Sequence, residues 1–178
     1  QMPEGAGRRN PVLIGICKES VSKERAETFA STNLRICDFA LDATALTSAY
    51  LDLYPDAKTA ENPQVLIDIG AENSVMTILL GSRILFTSSL MFGVDTFLQH
   101  AAEQLGVNEE EAWQQIQAQE VVGDTEENSP FSIALSPLVN EIESALEQWR
   151  TNEVADVRDR PVELVSVCGG GGCLPGID

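Results

Sequence analysis

The sequence predicts an α/β domain built on a mixed sheet with flanking helices. Short apolar runs rich in β-branched residues (NPVLIGIC at 10–17, VLIDI at 65–69, VELVSV at 162–167) alternate with longer stretches whose apolar residues recur every three or four positions. Two of those runs end in glycine-bearing turns, at Gly70 and at Gly169 to Gly172. The chain has 178 residues, 43% of them hydrophobic and 22% charged, and so is long enough to bury a core without disulfides or a structural metal.

Asn10 to Cys17 reads as a buried strand. A helix capped by Ser20 or Ser22 follows, with Ala26, Phe29 and Ala30 as its apolar stripe and Asn33 as a left-handed stop. Leu34 to Leu41 reads as a second strand, which would complete a right-handed βαβ unit. Asp42 caps the next helix, with Leu46, Ala49, Tyr50 and Leu53 on one face before Pro55 ends it. The polar stretch 56–64 then reads as a linker between a first segment, 1–55, and a second, 65–178.

Beyond that linker the pattern becomes a meander. Val65 to Ile69, Ser74 to Leu80 and Arg83 to Ser89 are strands, and Gly81-Ser82 is a two-residue hairpin turn. Phe97, Leu98, Ala101, Ala102 and Leu105 mark a helix stopped by Gly106, and Asn108 with Glu111 forms a capping box for a helix through about Gln119. Val121 to Ser129 is an acidic loop. Ser136 and Pro137 open a long helix carrying Leu138, Val139, Ile142, Ala145, Leu146 and Trp149. Val162 to Val167 is the last strand, and a short helix is expected at Leu174-Pro175-Gly176.

Net charge is −17, and the 66 residues between Arg83 and Arg150 carry twelve carboxylates with no Lys or Arg. Such a surface disfavours nucleic acid and anionic lipid, which both need Lys or Arg clusters, and leaves either a solvated face or a docking face for a basic segment. No run approaches the eighteen apolar residues of a membrane span. Cys17, Cys37, Cys168 and Cys173 include no C-x-x-C pair, and the single histidine, His100, is far from all four, so they read as reduced, buried thiols. One histidine supports no Ser-His-Asp constellation. Trp113 and Trp149 read as packing residues, and Glu109, Glu110 and Glu111 as complements to a helix dipole.

Two turns carry chemistry. Asp68, at the end of a strand, leads into Gly70, Ala71, Glu72, Asn73 and Ser74. A carboxylate there can hold a hydrated Mg²⁺, while backbone N–H groups approach phosphate oxygens where glycine removes the Cβ. Gly169, Gly170, Gly171 and Gly172 let backbone lie flat against a planar or phosphorylated ligand. No Lys-Ser or Lys-Thr follows, so this is not a P-loop. Read alone, Asp68 is equally a turn-holding residue and the glycines a flexible turn.

In this order and spacing the two motifs resemble the second lobe of the actin-like ATPase superfamily, with its ribonuclease H-like sheet, preceded by part of the first lobe. Within it the chain is similar to the PilM family of type IV pilus assembly proteins, relatives of FtsA. Val65 to Ala112 and Val162 to Asp178 carry the likeness, and the block Phe92-Gly93-Val94-Asp95 favours the pilus branch. The resemblance implies ATP with Mg²⁺ as cofactor. Asp68, Gly70 and Ala71 to Ser74 would form the second phosphate motif, with Asp68 at the metal, and Gly169 to Gly172 the adenosine motif; no catalytic residue is assigned. It further implies a cytoplasmic scaffold, peripheral to the inner membrane through the N-terminal segment of a PilN-like protein, with self-association open to it and no direct membrane insertion.

The sequence departs from the family at three places. No first phosphate hairpin precedes Asn10, as in an internal or truncated piece. The family's A-E-x-x-K pattern, whose Glu and Lys face ribose and base, reads Ala112, Trp113 and Ile116 here. The acidic span offers a triphosphate no cation. ATPase activity is therefore expected to be weak or absent. Alternatives are a small-molecule kinase of the same superfamily, for which neither acceptor pocket nor catalytic base is found, and an acidic protein-interaction module without nucleotide.

Overall fold

The computed structural model describes residues 14–32, 34, 36–118, 129–153, 155–174 and 176–177. The chain divides into two compact units, Gln1–Leu41 and Asp42–Asp178.

In the first unit, helix α1 (Glu19–Ala30) buries none of its residues. The described residues of the two runs expected as strands beside it are not in strands. Residues 14–17 and 36–41 lie in no strand, and Asn10 to Leu13, Asn33 and Arg35 fall outside the described residues. A β-branched run becomes a strand only when a neighbour takes up its N–H and C=O groups. Ile16 and Leu34 stay 89% and 68% exposed. The runs do approach one another, since a Cβ at Gly15 would meet the Leu41 side chain at 2.6 Å.

The second unit begins with α2 (Asp42–Leu53), whose buried residues are Ala43, Thr47, Tyr50 and Leu51. Leu53, expected on the buried face, is exposed; the inward stripe is rotated toward Ala43 and Thr47. A 3-10 turn, Pro55–Thr59, follows and takes up the first four residues of the expected linker. Tyr50, Leu51 and Ala57 pack with Leu66 and Leu79 into a small core, which joins α2 and the 3-10 turn to the sheet.

The sheet contains β1 (Gln64–Ile69), β2 (Ser74–Leu80), β3 (Arg83–Leu90) and β4 (Leu164–Cys168) in the order β3-β2-β1-β4. The first three form the expected antiparallel meander, and β4 joins β1 in parallel, so the sheet is mixed. Strand β1 is apolar at Val65, Leu66, Ile67 and Ile69 because both its faces are covered. Leu66 meets the α2 side, whereas Val65, Ile67 and Ile69 belong to the main core with Phe97, Phe131, Leu138 and Trp149.

That main core is closed by α3 (Val94–Leu105), α4 (Glu109–Ala118), α5 (Pro130–Asn152) and the short α6 (Ala155–Arg158). Gly106 ends α3 in the left-handed conformation, and Asn108 Oδ1 accepts from the Glu111 N–H at 2.9 Å, as the capping signals predict. Gln119 and the acidic loop up to Asn128 lie outside the described residues. Helix α5 begins seven residues before the expected Pro137. Ser129 and Pro130 offer the same start signal as Ser136 and Pro137, and the Ser129 hydroxyl takes the cap by accepting from the Ser132 N–H at 3.1 Å. Pro137 then sits within the helix and gives up one backbone hydrogen bond. Trp149 is buried as expected, but Trp113 is 40% exposed. All four cysteines are free thiols, yet Cys17, Cys37 and Cys173 are exposed and Cys168 only partly buried, which corrects the expected burial.

Thr77 is wholly buried on β2, and its hydroxyl has no hydrogen-bond partner among the described residues. A buried unpaired hydroxyl is destabilising, and valine has nearly the same shape. Thr77→Val is expected to raise unfolding stability by about 1 kcal/mol in urea titration. Leu79→Ala, in the same fully buried stripe, should lower it by about 2–5 kcal/mol.

Candidate functional site

The parallel ladder between β1 and β4 runs from Gln64 opposite Leu164 to Asp68 opposite Cys168. Both strands therefore end at the same level, and the chain leaves each through a glycine. The expected convergence of Asp68 with the glycine ribbon follows from this register. It also matches the rule that ligands of open α/β sheets sit beyond the carboxyl ends of parallel strands.

Contact between the two turns is direct. Gly169 has φ +84°, and a Cβ there would fall on Asp68 Oδ1 and lie 2.5 Å from the Ile69 carbonyl oxygen. A Cβ at Gly171 would collide with Ile69 Cγ2 and come within 3.2 Å of Val94 Cγ2. At Gly170 the same atom would meet nothing within 4 Å, and at Gly172 only ordinary contacts at 3.7 and 3.9 Å. The ribbon thus has two kinds of glycine. Gly169 and Gly171 are required by the close approach to β1, whereas Gly170 leaves open space where a ligand could lie. No helix begins at Leu174 as expected. The glycines themselves form a 3-10 turn, Gly170–Cys173, ended by Leu174 in extended conformation, and Pro175 falls outside the described residues.

On the other side, the Gly70 N–H donates to the Asn73 carbonyl at 3.2 Å, closing the turn after Asp68. Ala71, Glu72 and Asn73 are exposed on it; Asp68 and Gly70 are half-buried. Ser74 differs from these. It is fully buried, and its hydroxyl donates to the Phe92 carbonyl at 2.6 Å, so its proton is committed to the protein. The turn is also tied to α3, because the Val94 and Asp95 N–H groups donate to the Gly70 and Ala71 carbonyls at 3.0 and 2.9 Å. Gly93 makes this approach feasible: a Cβ there would strike the Ala71 carbonyl oxygen. The Phe92 to Asp95 block was visible in the sequence, but its service to the turn was not.

Electrostatically the site is negative. Its ribbon-side thiol, Cys168, has its pKa raised by burial first and then by the Asp68 carboxylate. Ile116, where the resemblance implies a Lys, is 8% exposed and part of the main core, and Ala112 one turn earlier is fully buried. Helix α4 thus presents Ala112 and Ile116 inward as an apolar stripe. Among the described residues no group of three or more His, Cys, Asp and Glu side chains could hold a metal ion. A cation at Asp68 would therefore keep most of its shell as water, which suits Mg²⁺.

Comparison with known proteins agrees with this architecture. Residues 3–178 match the family of the type IV pilus assembly protein PilM. The chain belongs to that family. MreB5 of Spiroplasma citri bound to ADP superposes with a TM-score of 0.61 at 15% identity, covering 91% of this chain and 57% of that one. A non-polymerising MamK mutant bound to AMPPNP gives 0.53 at 17% identity, with 72% and 47% covered. A chain of the PilM-PilN type IV pilus biogenesis complex gives 0.47 at 17% identity, with 78% and 38% covered. The first two likenesses show the actin-like fold, and the chain spans 57% or less of each of the three proteins. No curated protein matches it.

The division of the ribbon is measurable. Gly169→Ala and Gly171→Ala should each cost more than about 2 kcal/mol of unfolding stability, because backbone or a buried side chain must move. Gly170→Ala should stay within about 0.5 kcal/mol of the parent in the same urea titration.

Proposed function

We propose that this chain is the nucleotide-facing part of an actin-like scaffold in type IV pilus assembly, carrying a weakened site for ATP with Mg²⁺. In this reading 65–178 form the second lobe, 1–55 the end of the first, and 56–64 the link between them. Support comes from one observation above all: Asp68, the Gly70 to Asn73 turn and the ribbon meet at the carboxyl ends of β1 and β4 in a member of the PilM family.

The residues fit the cofactor in part. Asp68 would hold Mg²⁺ through water, the backbone of Gly70 to Asn73 would approach the phosphates, and the open side of the ribbon at Gly170 and Gly172 would receive the adenosine. Ser74 would act only by fixing the turn, because its hydroxyl is already engaged. ATP supplies a phosphoryl group whose transfer requires a positioned nucleophile and charge stabilisation. None of these site residues offers a cation or a buried base for that work. Two absent charge-assisted contacts, at Trp113 and Ile116, would cost about 3–6 kcal/mol, or two to four powers of ten in affinity. Weak binding with little hydrolysis follows, as in a scaffold that uses nucleotide for shape rather than turnover.

By family, the partner is the N-terminal segment of a PilN-like protein, which would hold the chain at the cytoplasmic side of the inner membrane. Among the described residues no helix is long and apolar enough to cross a membrane. Isothermal titration of the 178-residue chain with Mg-ATP should give a dissociation constant weaker than about 10 µM, roughly −7 kcal/mol. Amide NMR shifts in that titration should cluster at 68–74 and 168–172. Tighter binding, or shifts confined to other residues, would contradict the proposal.

A further inference from the structure

The opposite ends of β1 and β4 carry a second site. At the other end of β1 from Asp68, about 13 Å away by strand geometry, an open cavity of about 610 Å³ lies at the amino ends of the two strands. Tyr50, Tyr54, Asp56, Glu61, Gln64 and Glu163 are among its lining residues. The Glu163 N–H donates to the Pro63 carbonyl at 2.9 Å, which holds the two strand starts together and sets Glu163 beside Gln64.

Three independent features give this cavity a ligand class. Its carboxylates, Asp56, Glu61 and Glu163, make no ion pair among the described residues. The two cations near it in the chain have partners of their own: Lys58 pairs with Asp52 at 3.8 Å, and Arg160 pairs with Asp156 at 3.3 Å and donates to the backbone carbonyl of the lining residue Glu61 at 2.6 Å, leaving the Glu61 carboxylate without an ion pair among the described residues. Gln64 is 8% exposed, and its Oε1 accepts from the Tyr50 hydroxyl at 3.2 Å. Its amide nitrogen has no hydrogen-bond partner among the described residues, which leaves a donor for a carbonyl entering the cavity. Tyr50 and Tyr54 pack with ring centroids 5.1 Å apart, and Tyr54 is 59% exposed, so an aromatic surface stands at the mouth.

We propose that this cavity docks an arginine presented by a partner polypeptide. The guanidinium would lie against tyrosine and be forked by the carboxylates, while Gln64 donates to a backbone carbonyl of the same segment. Arginine suits this better than lysine because it is planar, stacks on aromatic rings and makes paired hydrogen bonds to carboxylates. The surrounding net charge of −17 adds long-range attraction for a basic segment. This site uses none of the residues of the nucleotide proposal and stands or falls apart from it.

Acetyl-Gly-Arg-Gly-amide, titrated into the ¹⁵N-labelled 178-residue chain, tests the proposal. Saturable shifts are expected at Tyr54 to Gln64 and at Glu163, with a dissociation constant in the millimolar range. Tyr54→Ala and the double variant Glu61→Gln, Glu163→Gln change exposed side chains, so their remaining spectra should match the parent while affinity falls at least about fivefold. The peptide with Lys in place of Arg should bind at least about twofold more weakly. Shifts spread over the carboxylates of α4 and α5, unchanged affinity in both variants, equal binding of the Lys peptide, or no saturable shift would overturn it.

Discussion

The parallel pairing of β1 with β4 is the constraint on which the rest of this structure depends. It is a ladder of five residue pairs, from Gln64 and Leu164 to Asp68 and Cys168, closed between segments a hundred residues apart. Everything between them, the rest of the meander and the helices α3 to α6, must fold back for the ladder to form. Once it does, Asp68 and Gly169 leave the sheet side by side. Their contact is tight enough that no side chain fits between them. The same ladder sets Gln64 beside Glu163 at the other end, so both proposed sites are consequences of one register.

Packing explains why the register holds. Alternate residues of β1 face two different cores, Leu66 toward α2 and Val65, Ile67 and Ile69 toward α3 and α5. A slip by one residue would exchange those faces and place Asp68 in the main core. The β4 partner is less protected: Leu164 and Val165 are 46% and 53% exposed. Site geometry is thus anchored by β1 and inherited by β4. Close backbone approach at Gly93 adds a third support, joining α3 to the turn after Asp68.

Much of this was legible in the residues, for identifiable reasons. Strands β1 to β3 could be read because tight turns separate them, and the caps at Gly106 and Asn108 because each has a local chemical signature. The convergence of Asp68 with the glycines was readable only through family resemblance, since no local pattern encodes a parallel pairing. Other features were ambiguous in principle. Ser129-Pro130 and Ser136-Pro137 offer identical helix starts, and the burial of Phe131, Ala134 and Leu135 decides between them. The runs around 14–17 and 34–41 have strand composition but, among the described residues, no strand beside them. Which glycines of the ribbon serve packing depends on where Ile69 lies, and no spacing reveals that. The cavity at Tyr50, Gln64 and Glu163 has no motif at all, because its walls come from distant segments.

The nearness of Asp68 to the start of the ribbon can be read electrostatically through Cys168. Burial and, second to it, the Asp68 carboxylate hold its thiol above the usual range, so the reactive thiolate appears only at higher pH. In a chain whose three exposed cysteines, Cys17, Cys37 and Cys173, are replaced by serine, the pH profile of Cys168 alkylation measures this directly. Adding Asp68→Asn removes the negative charge but not the burial, and should move the profile to lower pH while leaving it above that of an exposed thiol. An unchanged profile would mean that the carboxylate and the ribbon are not neighbours, and would contradict the account at its base.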